Sequence, residues 1–279
     1  MSSNVGVLYV VSTPIGNLSD ISQRAIDTLN EVSVVAAEDT RTTKKLFSLL
    51  GIKQSLVAYH EHNEDKQMAT ITAYLDRGES VALVSDAGTP LISDPGYPLI
   101  SHLLGNGYRV IPIPGASAVI AALSVSGLPT DRFTFEGFLP SKPTARVKQL
   151  QSLQFETRTM VLFESCHRIE HTINDMAEVF GAERQVTVCR EITKKFETIH
   201  QDKLANLCTW IQQPNQQKGE FVLVVAGYEG QAGADEQASR ELLEVLLEYL
   251  GPSQAAAAAA QLTGQKKKAL YQLALQLKE

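Results

Sequence analysis

The run Ala37-Glu38-Asp39-Thr40-Arg41 sets two carboxylates and a guanidinium side by side, with Lys44 and Lys45 one helical turn further on. Such a group can hold a phosphate on its cations while an acid accepts a proton from a nearby hydroxyl. It can equally be a helix start, with Asp39 capping and Arg41 paired to it locally. Arg190-Glu191-Ile192-Thr193-Lys194-Lys195-Phe196-Glu197 offers the same chemistry or an ordinary solvated charge cluster. His167-Arg168-Ile169-Glu170-His171 matches the H-x-x-E-H spacing of inverted zinc peptidases, which requires both imidazoles on one helix face and a distant third ligand. His167 is expected on a strand-to-helix turn, so that register is unreliable, and no metal is expected. The pair His60-x-His62 reads as a strand or loop feature.

Three Gly- and Pro-rich segments must position these groups. The first predicted strand ends in Ser12-Thr13-Pro14-Ile15-Gly16-Asn17-Leu18, and the fourth runs into Val84–Gly96, dense in Gly, Pro and small polar residues. Pro114-Gly115-Ala116-Ser117-Ala118 opens a helix whose free amides can cradle a polar group. No G-x-G-x-x-G follows the first strand and there is no P-loop, so neither a dinucleotide site nor a nucleoside-triphosphate site of those kinds is expected.

Around these turns, apolar β-branched runs alternate with helical patterns. Strands are predicted at 8–12, 32–36, 56–59, 81–85 and 109–113, with helices at 21–30, 42–50, 65–76 and 97–104. That alternation implies a mostly parallel, doubly wound α/β domain. After a helix at 117–125 a second series follows, with strands at 133–137, 159–164, 186–189 and 221–226 and helices at 147–153, 169–180 and 203–211. We expect an N-terminal α/β domain over 1–114 and a second over 115–228, with the ligand site in the cleft between them. Residues 229–237 read as a linker, followed by helices at 238–250, 253–262 and 265–277 punctuated by Gly251-Pro252 and Thr263-Gly264. Ser253 is the expected N-cap of the alanine run. The last two helices resemble a helix-turn-helix unit with Lys266, Lys267 and Lys268 at the start of the final helix, either a nucleic-acid contact or a solvated face.

The three turns resemble the S-adenosylmethionine (AdoMet) loops of the tetrapyrrole-methylase superfamily. The Ala37–Arg41 run, Tyr59-His60-Glu61-His62-Asn63-Glu64, the Arg190–Glu197 run and Gly219-Glu220-Phe221 are similar to the branch that methylates ribose 2′-oxygens of cytidine in small-subunit ribosomal RNA. The resemblance covers residues 8–228 and extends to the helical end. In Glu164-Ser165-Cys166-His167-Arg168 it departs from the pattern, Cys166 standing where proline is expected. The resemblance implies a two-domain tetrapyrrole-methylase fold with a small C-terminal helical domain. It implies Pro14, Asp86, Ala87, Gly88, Thr89, Pro90, Ser117 and Ala118 as the AdoMet-binding residues. Arg41, His60, His167, Arg168, Arg190 and Lys194 are expected to position RNA, Arg41 and Arg190 foremost because a fixed guanidinium fork suits phosphate. The proton acceptor is left open among Glu38, Asp39, Glu61, Glu164 and Glu191. A homodimer acting on the decoding region of the assembled or partly assembled small subunit is also implied. The alternatives are a C-methylase of a tetrapyrrole precursor, a zinc peptidase built on His167, Glu170 and His171, and a non-catalytic RNA-binding module using the terminal helices.

Composition sets outer bounds. The 279 residues are 44% hydrophobic and 20% charged, the balance of a folded globular protein. No apolar run reaches membrane-spanning length, and Met1 to Val11 lacks a basic n-region, so no signal peptide and a cytoplasmic location are expected. Cys166, Cys189 and Cys208 are odd in number and without C-x-x-C spacing, which reads as free thiols. A net charge of −6 means that any RNA must be gripped by local basic patches rather than by a global field.

Overall fold

The computed structural model describes residues 5–230, 232–263 and 265–277. It comprises two compact units, the first ending at Gly227 and the second beginning at Tyr228. Strands β1 (Val7–Val11), β2 (Val34–Ala37), β3 (Leu56–Ala58), β4 (Val81–Val84) and β5 (Arg109–Ile113) form an all-parallel sheet in the order β3-β2-β4-β1-β5. The central strands β2 and β4 are buried at every position, and their successive residues feed two different cores. Val35, Ala37, Ala82 and Val84 pack with Ala25 and Leu29 of α1 (Gln23–Glu31) and Phe47 of α2 (Thr40–Leu50). Val34, Ala36, Val81 and Leu83 pack with Ile71 and Leu75 of α3 (Glu64–Asp76) and with Leu99 and Leu103 of α4 (Tyr97–Gly105). The chain leaving β1 therefore goes to one face and the chain leaving β4 to the other. Their divergence opens a crevice at the strands' carboxyl ends, the usual ligand position in such sheets.

Helix α5 (Ala118–Val125) follows β5 and lays Val119, Ala122 and Leu123 on the second sheet, against Val161, Cys189, Val222 and Val224. That sheet is built from β6 (Phe133–Phe138), β7 (Thr159–Ser165), β8 (Gln185–Arg190), β9 (Thr198–Lys203) and β10 (Glu220–Val225), in the order β6-β7-β10-β8-β9. Only β6 and β7 are parallel; the other pairs are antiparallel. Its other face is covered by α6 (Pro143–Leu153), α7 (Ile169–Phe180) and α8 (Leu204–Trp210). On α7, Ile169, Thr172, Ile173, Met176 and Phe180 recur at helical spacing as the buried stripe.

Three expectations need correction here. The strand β9 is absent from the sequence reading, because Thr198-Ile199-His200-Gln201-Asp202-Lys203 is an edge strand whose half-buried and exposed positions alternate without an apolar run. Residues 229–237 are not a linker throughout: α9 (Ala232–Leu247) begins inside them. Gln231 of that segment lies outside the described residues, as do Gly264 and the start of the Met1–Val11 segment. In the second unit, α9 joins α10 (Pro252–Thr263) and α11 (Lys267–Gln276) around Leu243, Ala255, Ala256, Ala259, Leu270 and Ala274. Helix α10 starts at Pro252, so Ser253 lies in its first turn and is not the N-cap; proline suits a first helical position because its missing N–H would go unpaired there anyway. No helix is long and apolar enough to cross a membrane among the described residues.

Candidate active site

The crevice is assembled by three turns stitched to one another. Thr13 and Gly88 exchange backbone hydrogen bonds, Thr13 N to Gly88 O at 2.8 Å and Gly88 N to Thr13 O at 3.1 Å, which clamps the β1 turn to the β4 loop. Gly88 has φ 82°, a left-handed conformation, and a Cβ there would stand 3.3 Å from Ile15 Cγ2. The Thr89 hydroxyl is shared with Ser12 Oγ at 2.9 Å and donates to Ala116 O at 3.2 Å, tying the β4 loop to the turn before α5. Gly115 is required by closeness: its Cβ would meet Ser12 Cβ at 2.9 Å. Leu91 and Ser93 in the same loop also take positive φ, 73° and 70°. For non-glycine residues that strain is tolerated where surrounding structure imposes it, commonly at binding sites.

Between these turns and the second sheet lies a cleft of about 380 Å³, within the range for small-molecule sites. One end is acidic. Asp86 N donates to Glu38 Oε2 and Asp39 N to Asp86 Oδ1, both at 3.2 Å, and Asp94 completes a trio of carboxylates lining the cleft. All three carboxyls are pushed up from their ordinary values. For Glu38 the cause is burial, reinforced by the charges of Asp94, Asp86 and Asp39 and opposed by the Asp86 amide. Burial dominates at Asp94 and at Asp86 as well. The other wall is apolar, with Ala118, Val119, Phe163, Phe221 and Val222.

The site fits AdoMet on these observations. The carboxylates complement a cationic sulfur and an ammonium, the apolar wall suits an adenine, and the open amides at the start of α5 suit a carboxylate. Of the residues expected to hold AdoMet, Asp86, Ala87, Gly88, Thr89, Ser117 and Ala118 line the cleft. Pro14 and Pro90 are not among the lining residues; they lie within the turns, Pro90 buried.

The acid candidates separate by environment. Asp39 caps α2 through Arg41 N at 2.8 Å and pairs with the Arg41 guanidinium at 2.7 Å. That hydrogen-bonded pairing holds its carboxyl down to about 2. Glu164 lines the cleft but is buried and already accepts from Ser165 N, from Arg168 Nε and Nη2, and from Thr172 Oγ1. Glu191 lies outside the lining. Burial would raise its carboxyl, but the Glu220 amide and Lys194 outweigh it and hold it low. Glu61 belongs to a short 3₁₀ turn, Glu61–Asn63, led by His60.

The basic candidates are also scattered. Lys194 lines the cleft, bridging Glu191 at 3.0 Å and Glu220 at 2.9 Å, with its stem against Gly16. Arg190 spends Nη1 on Lys218 O and Nη2 on Phe196 O and Thr198 Oγ1, so it staples the β8–β9 loop. Arg168 holds Glu164 and Leu139 O. Arg41, with its side chain 85% exposed, stands on the first turn of α2 above exposed Lys44 and Lys45. His60 is half-buried and His167 is exposed in the turn before α7. Among the described residues no three His, Cys, Asp or Glu side chains converge as a metal-ligand set. The side chain of His62 lies outside the described residues.

Lining residues that the sequence reading missed include Asp94, Phe138, Phe163, Ile192 and Glu220. Asp94 and Glu220 lay inside segments already singled out, the Val84–Gly96 loop and Gly219-Glu220-Phe221. Nothing in the sequence marks Phe138.

Comparison with known proteins adds the following. A family model described as Tetrapyrrole (Corrin/Porphyrin) Methylases matches residues 7–208, and one described as RsmI C-terminal HTH domain matches residues 233–278. A protein of Xylella fastidiosa strain Temecula1 named Ribosomal RNA small subunit methyltransferase I is 51% identical over 270 residues, 96% of this chain and 99% of the relative. A Pseudomonas aeruginosa protein of the same name is 50% identical over 276 residues, 98% of each chain. Among solved structures, the cobalamin biosynthetic enzyme cobalt precorrin-4 methyltransferase superposes with a TM-score of 0.58 at 18% identity, covering 78% of this chain and 94% of that one, a likeness of fold.

Proposed function

Because this chain belongs to the tetrapyrrole methylase family and, within it, to the ribosomal RNA small subunit methyltransferase I family, we propose that it uses AdoMet to methylate the ribose 2′-oxygen of a cytidine in the decoding region of small-subunit (16S) ribosomal RNA. The observation that carries this reading is half-identity, over nearly the whole of both chains, to relatives named for small-subunit ribosomal RNA methylation. Bound AdoMet supplies a methyl group on a cationic sulfur, already activated for displacement by the 2′-oxygen, with S-adenosylhomocysteine as the other product.

The protein's own contribution is alignment and proton acceptance. Asp86, Ala87, Gly88, Thr89, Ser117 and Ala118 form the donor's cradle, and Pro14 and Pro90 fix the turns that shape it. Glu38 is our choice as proton acceptor. It faces the cleft with a carboxyl raised toward the working pH, whereas Asp39 is committed to Arg41, Glu164 to four donors and Glu191 to Lys194. Arg41 with Lys44 and Lys45 forms a basic patch beside Glu38 suited to phosphate. Arg168 and Arg190 act on RNA indirectly, by holding Glu164 and the β8–β9 loop in place.

We read the protein as cytoplasmic and homodimeric. Support for the dimer comes from Ile120 and Val125 of α5, 58% and 50% exposed, and from exposed Ile199 of β9, on elements joined through the Gln201–Ser126 hydrogen bond. The test is transfer of labelled methyl from AdoMet to small subunits from cells lacking this protein, with ribose methylation mapped at single-nucleotide resolution. A new 2′-O-methyl at one cytidine is expected. No transfer to subunits or to free RNA, with AdoMet binding confirmed, would overturn the substrate assignment.

A further inference from the structure

We infer that Phe138 is the platform on which the acceptor's pyrimidine stacks as its ribose enters the cleft, an inference that rests on the ribose-methylation reading above. In an unbroken strand Phe135 and Phe138 would point to opposite faces, because side chains alternate. The pairing of β6 with β7 slips between Phe135 and Gly137, where Gly137 takes φ 63°. This bulge turns both rings onto Phe163. Phe135 lies 4.9 Å and Phe138 5.5 Å from the Phe163 centroid, both edge-to-face. Bulges beside active sites commonly re-aim a side chain in this way.

Phe163 and Phe138 both line the cleft, yet Phe138 stays 54% exposed and so stands at its rim. The position selects the occupant. A free small molecule can be enclosed by the buried wall of Val119 and Val222, but a base tied to a polymer must come from solvent, with its backbone left outside. A Cβ on Gly137 would lie 3.5 Å from Ser93 Oγ, so the bulge abuts the loop that carries Asp94. A base stacked on Phe138 therefore sits at the rim of the same cleft that Glu38, Asp86 and Asp94 line. Extruded bases are commonly held by aromatic faces, and such stacking changes affinity by roughly ten- to a hundredfold.

The experiment compares wild type, Phe138→Ala, Phe138→Leu and Phe138→Trp in methyl transfer to unmodified small subunits, with AdoMet affinity by calorimetry and melting temperature as controls. Alanine and leucine are expected to lower kcat/KM about ten- to a hundredfold, mainly through KM, with AdoMet affinity unchanged and tryptophan restoring activity. Leucine keeps apolar contact with Phe163, so its loss separates the aromatic face from packing. Wild-type kcat/KM in both Phe138→Ala and Phe138→Leu overturns the inference, and so does a matching loss of AdoMet affinity, which would give the ring to the donor. Failure of wild type itself to transfer methyl would overturn the methylation reading and this inference with it.

Discussion

Carboxylates close together in sequence and space do opposite things here, and the difference is their partners. Asp39 has a guanidinium and a helix start, so its proton is held weakly; Glu38 and Asp94 have burial, with Asp94 and Asp86 charging the first and Asp86 the second, so theirs are held tightly. A carboxyl raised in the fold binds more protons than in the unfolded chain between its two pKa values. Its contribution to stability is therefore full below the unfolded value and lost as pH rises through the folded one. Asp39 has the reverse sign, with stability present above its unfolded value and lost as pH falls toward about 2. The ligand-free protein should thus melt higher near neutral pH when Asp94 becomes Asn, at the expense of AdoMet affinity. For catalysis the acceptor must be unprotonated, so kcat/KM should fall as pH drops through an apparent value above the roughly 4.3 of a free glutamate. Glu38→Gln should remove that limb and lower kcat by about 10² or more with little change in KM for subunits. A pH–rate profile of the variant matching wild type would exclude Glu38 as the acceptor. At this scale the sequence was a partial guide: it named Glu38 among five acids, but only the partners of Asp39, Glu164 and Glu191 rank them.

The elements that carry the site are loops at strand ends, and their backbone geometry matters more than their side chains. Gly88 is a direct case, pinned to Thr13 on both backbone groups with φ 82°. Gly88→Ala costs on the order of 1–2 kcal/mol of left-handed strain and presses Ile15. We expect AdoMet affinity to fall about tenfold, and Gly88→Arg to abolish binding with the circular dichroism spectrum retained. Unchanged affinity by calorimetry in Gly88→Arg would remove the loop from the donor's site. The loops were legible because Gly, Pro and small polar residues after an apolar run have few other uses. The strands of the parallel sheet were legible for a related reason, since burial on both faces leaves continuous apolar runs. Strand β9 and the bulge in β6 were not. An edge strand keeps too little apolar pattern, and Phe133-Thr134-Phe135-Glu136-Gly137-Phe138 alternates normally until Gly137, so nothing local reveals that Phe138 turns with Phe135.

For the molecule as a whole, the question is how a chain of net charge −6 engages a polyanion. Long-range attraction is unavailable, so affinity must come from short-range cationic patches that screen the acidic remainder. One is Arg41, Lys44 and Lys45 on α2; the other is Lys266, Lys267 and Lys268 at the start of α11, all exposed in a unit with its own apolar core. A solvated helix face would leave binding indifferent to the triple lysine's charge. Phosphate contact would not, because each neutralised phosphate releases counterions and steepens the salt dependence by roughly 0.7 to 0.9 in log–log slope. Lys266→Gln, Lys267→Gln and Lys268→Gln combined in the full chain should therefore reduce the slope for subunit binding by about 2, and weaken binding most at low salt. AdoMet affinity should stay unchanged, because the cleft lies wholly within the first unit. An unaltered slope would assign these lysines to solvent and leave the α2 patch and the cleft to account for RNA engagement.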